Sequence, residues 1–512
     1  MILHRSTMTK RLIALMASAG LLASMCACSS TSDATDQTSS TSTTSETTTN
    51  TGNVAIFTPS DGITISQQTP LSKWEKLVPE IVSSLKDEGI DGENITVKSS
   101  SSLDKQSQSV QDYVVNHVNK TTDKQTNQGK TTLVVAPVAQ TSKSDRQYGD
   151  YAGHAISWDS DSSDEDEQAY AQAAERLISA LQLAQNEGMA VVLVSNTLAG
   201  YTPDVYVPMI TAEQIGELQA QKLVEKLKLD TTSSDNPKYL EVLLPYDEDE
   251  QGDTDSDFAQ SVFAGIWKIL GPYFQQGKAI SPSGTLTSSS TDDDWKNVAF
   301  DAGDAENIKK TLAERLGMDK DRSRHTRIDG IISCNDYVAG YVTDALESLG
   351  YTGSAADINP SITISGIVDS IAGKKDLKKK SVPDPIKAPE AQDSENSSSV
   401  SEANDDTLEE RNAQWPIVTG YGAYVSSLPN IVDGSQWMTA LENRKTLAED
   451  IAQVCVRLNT SRKVSEMDFM TTSDVEGTQV PTVLEDALAV SASNLKKTLI
   501  EPGYVSLADA GL

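Results

Sequence analysis

Thr132-Leu133-Val134-Val135-Ala136 and Ala190-Val191-Val192-Leu193-Val194 are two short apolar runs, and between them lies a long amphipathic stretch, Ala169 to Asn186, ended by Gly188. Runs this short with no polar alternation read as strands buried on both faces, which is the habit of parallel sheets covered by helices. The same rhythm extends upstream. Val54-Ala55-Ile56-Phe57 and Ile95 to Lys98 read as strands, with helices at Leu77 to Leu85 and Ser109 to Val118. Downstream the pattern restarts: helices at Ala212 to Leu227, Phe258 to Leu270, Ala305 to Leu316 and Tyr337 to Leu349, and strands at Tyr239 to Leu244 and Ile328 to Ile332. Two successive βαβ blocks predict an α/β protein of two doubly wound lobes. Such sheets bind ligands at the carboxyl ends of their strands, so the loops after Phe57, Ala136, Val194, Leu244 and Ile332 are the places to look.

The N-terminus has its own logic. His4, Arg5, Lys10 and Arg11 precede the apolar stretch Leu12 to Met25, the layout of a signal peptide too short to span a bilayer comfortably. Met25-Cys26-Ala27-Cys28-Ser29-Ser30 resembles a bacterial lipoprotein signal, with Cys28 the lipidated residue because Ala27 precedes it. Residues 1–28 are therefore expected to be a signal peptide and residues 29–53, nearly all Ser, Thr, Asp, Asn and Gly, a disordered tether. Elsewhere the rhythm is broken by residues 61–70, by the polar stretch 140–167, by the acidic stretch 247–257 and by residues 374–412, which read as a disordered insertion.

A formal charge of −32 argues against nucleic acid, whose phosphates this surface would repel. After removal of the signal, Cys334 and Cys455 are the side-chain thiols, leaving two readings: two buried thiols or one bridge. Asp247 to Asp255 has glycine at the sixth position of a calcium-loop pattern, but follows a strand and has Phe258 where a bidentate glutamate is needed, so it reads as a solvated acidic loop. The four histidines lack ligand spacing for zinc, no Gly-x-Ser-x-Gly elbow is present, and no phosphate-cradling glycine loop. The expectation is a non-enzyme without metal or cofactor.

Several ordered segments then resemble the periplasmic sugar-binding family, nearest its xylose and multiple-monosaccharide branch. They are Ile215-Gly216-Glu217-Leu218-Gln219-Ala220; Ala264-Gly265 through Gly271-Pro272-Tyr273 to Gly277-Lys278; Ile328 to Asp336; Pro416-Ile417-Val418-Thr419-Gly420; Gly434-Ser435-Gln436-Trp437-Met438-Thr439; and Val480-Pro481, Ser493-Asn494-Leu495 and Gly503-Tyr504. The resemblance implies two Rossmann-like lobes of the type I periplasmic-binding-protein fold, joined by a hinge. Residues 54–200 and 436–465 would form the N-terminal lobe, and residues 205–435 and 476–512 the C-terminal lobe. It also implies a monomeric solute-binding lipoprotein of an ABC importer, facing the extracytoplasmic side, whose partners are a carbohydrate or related solute, an ABC permease and the membrane through its lipid anchor. The alternative is a sensory or accessory surface lipoprotein on the same scaffold, with altered or lost sugar binding.

The resemblance assigns ligand contacts at Lys73, Trp74, Asn196, Asn335, Asp336 and Tyr421. Trp74 reads either as a stacking platform or as a core residue at a helix start. Asp336 would accept two adjacent hydroxyls with Asn335 beside it, or the pair would cap the next helix. The family pattern fails elsewhere: Ser195-Asn196 stands for Asp-Arg, Ala139 for Asp, Thr211-Ala212 for Asp-Asn, Tyr421-Gly422 for Gln-Asp, and Glu442 for Lys. A pocket so altered loses charge-assisted bonds of about 1.5–3 kcal/mol each.

Overall fold

In the computed structural model, the first sheet has the strand order Met470–Val475, Thr478–Val483, Val205–Val207, Ala190–Val194, Thr131–Val135, Asn53–Pro59, Ile95–Ser100. All pairs are parallel except Met470–Val475 against Thr478–Val483. The second sheet runs Ala279–Ile280, Lys238–Val242, Gly330–Ile332, Ile417–Thr419, Met438–Leu441, Leu488–Ser491, parallel except for the last pair. The structure describes residues 51–61, 70–122, 130–150, 152–159, 162–246, 253–320, 324–356 and 405–506. The signal peptide, Cys28 and nearly all of the expected tether lie outside them, and Asn53 already belongs to the first strand. Among the described residues no helix is long and apolar enough to cross a membrane.

The buried runs form the centre of both sheets, as their lack of polar alternation demands. One face of the first sheet is covered by Trp74–Asp87 and Arg444–Asn459, where Leu77, Ile81 and Leu85 pack with Leu447, Ile451 and Cys455. The other is covered by Leu103–Thr122 and Glu165–Asn186. The second sheet is covered by Ala212–Leu227 with Asp253–Gln275 on one side and by Ala305–Arg315 with Asp336–Leu349 on the other. The glycines of two resembling segments have a physical reason here. A Cβ on Gly216 would lie 2.0 Å from Val262 O, and one on Gly265 would lie 1.9 Å from Glu213 O, so the two helices touch backbone to backbone.

Three expectations need correction. Met438–Leu441, expected in the N-terminal lobe, pairs into the second sheet; Thr478–Val483 and Val205–Val207, expected in the C-terminal lobe, pair into the first. A short buried strand has the same composition in either sheet, so its residues do not say which one it joins. The chain therefore crosses between sheets at residues 208–211, 442–443 and 484–487. The acidic residues Glu165, Asp166 and Glu167, read as part of an irregular segment, form a first helical turn capped by Asp164, where the helix dipole favours negative charge. Within the expected insertion, Asp405–Asn412 is a helix. Its Glu409 accepts from His325 N at 2.9 Å and pairs with His325 Nδ1, while Thr352 and Trp415 exchange backbone bonds with residues 413 and 352 beside it.

Cys334 and Cys455 are both free and buried, which decides between the two readings of the sequence. Burial pushes the Cys334 thiol up to about 12 and also raises that of Cys455. Neither should react with a thiol-specific disulfide reagent at neutral pH until the chain is unfolded; fast labelling of the folded protein would contradict this packing.

Candidate functional site

The loops at the carboxyl ends of the two sheets meet through residues 147–150 and 152–154. The helix Trp74–Asp87 opens the first-lobe side. Its N-terminal N–H groups are taken by Asp61, whose carboxylate accepts from Trp74 N at 3.1 Å and Glu75 N at 2.5 Å. Lys73 and Trp74 both point to Asp150: Lys73 Nζ donates to its carboxylate at 2.7 Å, and Trp74 Nε1 donates to its carbonyl at 3.0 Å. Burial, reinforced by the neighbouring Asp150, pushes the Asp61 carboxyl up to about 7. Trp74 is 2 % exposed and packs in the first-lobe core, so the core reading describes its ring. The ammonium of Lys73 is buried and committed to Asp150.

Gln147 joins the lobes. Its side-chain carbonyl accepts from Asn335 Nδ2 at 2.9 Å, and its backbone carbonyl accepts from Tyr424 Oη at 2.9 Å. Tyr148 packs against Phe258 with ring centroids 5.2 Å apart, and His154 stacks on the same ring at 5.3 Å. Burial pushes His154 down to about 4, so it is neutral at neutral pH. Asn196 holds this segment in place, accepting from His154 N at 2.8 Å while donating to Pro137 O at 2.8 Å. Gly149 has a φ of +130°, and a Cβ there would lie 2.7 Å from Ser72 Cβ; Asp150 N bonds Ser72 O beside it.

On the second-lobe side, Asn335 does two jobs: Oδ1 caps the helix at Val338 N, and Nδ2 reaches Gln147. Asp336 faces inward. It is 1 % exposed, and its carboxylate accepts from Gln436 Nε2 at 2.6 Å, Thr439 Oγ1 at 2.6 Å and Tyr424 N at 3.0 Å. Burial, against these three bonds, pushes its carboxyl up to about 6. The residue thus ties its helix to two other segments of its own lobe. Tyr421 is buried in the same lobe's core, and its carbonyl accepts from Asp336 N at 2.8 Å.

The structure therefore gathers Lys73, Trp74, Asn196 and Asn335 around Gln147, Asp150 and His154, and places Asp336 and Tyr421 behind them. Gln147, Tyr148, Asp150, His154 and Tyr424, which the sequence did not single out as site residues, complete the group together with Phe258. The available signal was the aromatic-rich stretch Gln147-Tyr148-Gly149-Asp150-Tyr151-Ala152-Gly153-His154 inside a polar segment. The assembly can hydrogen-bond and stack, the two demands of a hydroxylated ring with C–H faces. The crossings lie alongside. Glu442 accepts from Ile210 N, joining the second crossing to the first, and Asn443 Nδ2 donates to Glu485 at 3.1 Å, joining it to the third. A recess of about 330 Å³ lined by Lys130, Asp204 and Arg462 among others lies at the opposite, amino ends of the first-sheet strands.

No family model and no curated protein matches the chain. Among solved structures it is similar to an ABC transporter solute-binding protein from Clostridium phytofermentans with bound β-D-glucose, at 17% identity and a TM-score of 0.49, covering 89% of this chain and 99% of that one. It is likewise similar to a carbohydrate transporter solute-binding protein from Chloroflexus aurantiacus in complex with D-glucose, at 18% identity and a TM-score of 0.48, covering 89% and 97%. An arabinose-binding protein from Geobacillus stearothermophilus is similar at 9% identity and a TM-score of 0.44, covering 88% and 99%.

Proposed function

We propose that this chain is an extracytoplasmic solute-binding lipoprotein, anchored through Cys28, that holds a carbohydrate or related hydroxylated solute between its lobes and delivers it to an ABC permease. The observation that carries this reading is the triple crossing between two doubly wound sheets, which brings the carboxyl-end loops of both lobes together at Gln147, Asn335 and Tyr424. The N-terminal sequence supports the anchor and the outward-facing location.

Calorimetric titration with a panel of neutral monosaccharides should show one or more binding. Asp150→Asn should weaken that binding on the order of tenfold or more, because it releases Lys73 and removes a charged acceptor from the site. Absence of heat across the panel, with another class of solute binding instead, would sink the carbohydrate assignment. A sensory or accessory role is the second reading. Lys73 and Asp336, two charged groups expected to grip hydroxyls, are committed to Asp150 and to second-lobe donors, which favours a ligand gripped differently.

A further inference from the structure

Two stretches that break the strand–helix rhythm, residues 61–70 and 140–167, lead to the two points where the first lobe reaches into the second. Leu71, just after the first stretch, is 5 % exposed and lies in an apolar cluster with Ala423, Leu428, Ile431, Leu441 and Val490 of the second lobe. Its N–H donates to Gly422 O at 2.9 Å. Tyr148, within the second stretch, is buried in the second lobe's main core with Phe258, Ile332 and Cys334. The two arms are tied to each other. Asp150 N donates to Ser72 O at 2.9 Å, and the Asp150 carboxylate holds the Lys73 ammonium at 2.7 Å.

Both arms stand away from the chain crossings. Leu71 follows Asn53–Pro59 and Tyr148 follows Thr131–Val135, three and two strands from Val205–Val207, where the first crossing leaves its sheet. Phe258 follows Lys238–Val242, three strands from Met438–Leu441, where the second crossing leaves. Parting the lobes about the crossings therefore draws Tyr148 out of the second-lobe core and breaks the bonds of Gln147 to Asn335 Nδ2 and Tyr424 Oη. We propose that Leu71 and Tyr148 are the two prongs of a clasp that holds the lobes closed by the chain's own residues, so that closure does not depend on a bridging solute. This rests on the reading of the chain as a two-lobed receptor that opens at its crossings, and it holds whatever solute the receptor takes. Entry and exit of that solute then wait on withdrawal of both prongs. Returning each buried apolar side chain to water should disfavour opening by on the order of tenfold or more.

Small-angle X-ray scattering of the full chain, with no solute added, tests the clasp. Leu71→Ala, Gln147→Ala and Tyr148→Ala combined should shift the lobes toward the open form by on the order of a hundredfold or more, with a larger radius of gyration than the wild type and unchanged circular dichroism. Gln147→Ala with Tyr424→Phe removes the bonds from Asn335 and Tyr424 and leaves both apolar clusters intact. It should expand the chain in the same direction, and it decides the matter if the combined variant does not fold. A radius in the folded variants equal to or below that of the wild type overturns the proposal. The measurement contains no sugar, so its failure leaves the carbohydrate reading standing, and a sugar panel without heat leaves the clasp standing.

Discussion

Asp336→Ala is expected to destabilise the chain by about 3–5 kcal/mol, the range found when one member of a buried, fully engaged polar group is removed. The variant would leave Gln436 Nε2, Thr439 Oγ1 and Tyr424 N facing a cavity, and these donors come from two segments of the second lobe. Chemical denaturation monitored by circular dichroism measures the loss. Asp336→Asn should recover only part of it, because its amide NH₂ turns toward donors. The carboxyl also gives the effect a pH signature. Burial raises it from 3.8 to about 6, so the native chain binds this proton more tightly than the unfolded chain, and its contribution to stability falls as the pH rises from about 4 to about 6. A wild-type loss below about 1 kcal/mol on substitution by alanine would show that Asp336 is free for another role.

The second large effect concerns the helix pair Ala212–Leu227 and Asp253–Gln275. Gly265→Ala or Gly216→Ala places a methyl 1.9 or 2.0 Å from a backbone carbonyl of the facing helix. Backbone cannot swing aside as a side chain can, so the helices must separate and the core between them, including Ile215, Val262 and Ile266, loses contact. About 3 kcal/mol or more should be lost from each substitution, at the upper end of overpacking costs. Gly340→Ala is the matched control. It lies inside the helix Asp336–Leu349, and its Cβ would meet nothing within 4 Å, so it should stabilise by about 0.5–1 kcal/mol through the unfolded chain. Equal melting temperatures for Gly265→Ala and Gly340→Ala would contradict the close approach.

These glycines show what could be read in advance and what could not. The alternation of apolar runs and amphipathic stretches was enough for two doubly wound lobes, because burial on both faces leaves no polar alternation. Ala212–Leu227 begins and ends where its pattern does, since Thr211 forms a capping box with Gln214. Sheet membership was not legible: Met438–Leu441 and Thr478–Val483 are short strands at chain crossings, and which sheet they join depends on partners outside their local sequence, Leu488–Ser491 for the first and Val205–Val207 for the second. The site was half legible. The strand-end rule pointed to the loops after Val194 and Ile332, where the resemblance singled out Asn196 and Asn335, and these do reach the segment between the lobes. Asp336 followed the same rule and turned inward, because Gln436 and Thr439 offer buried donors that local sequence does not reveal. Gln147, Tyr148, Asp150 and His154 escaped because their stretch carries no regular period, and their place is set by contacts from both lobes at once.

The central claim is that a small hydroxylated solute is held between the lobes. Native mass spectrometry of the chain, purified from its own host without refolding, tests it most directly. The account predicts a population carrying one bound molecule of sugar-like mass and composition, lost on collisional activation and depleted in Asp150→Asn. A chain that carries no such molecule, and gains none from a monosaccharide panel added in excess, would contradict it.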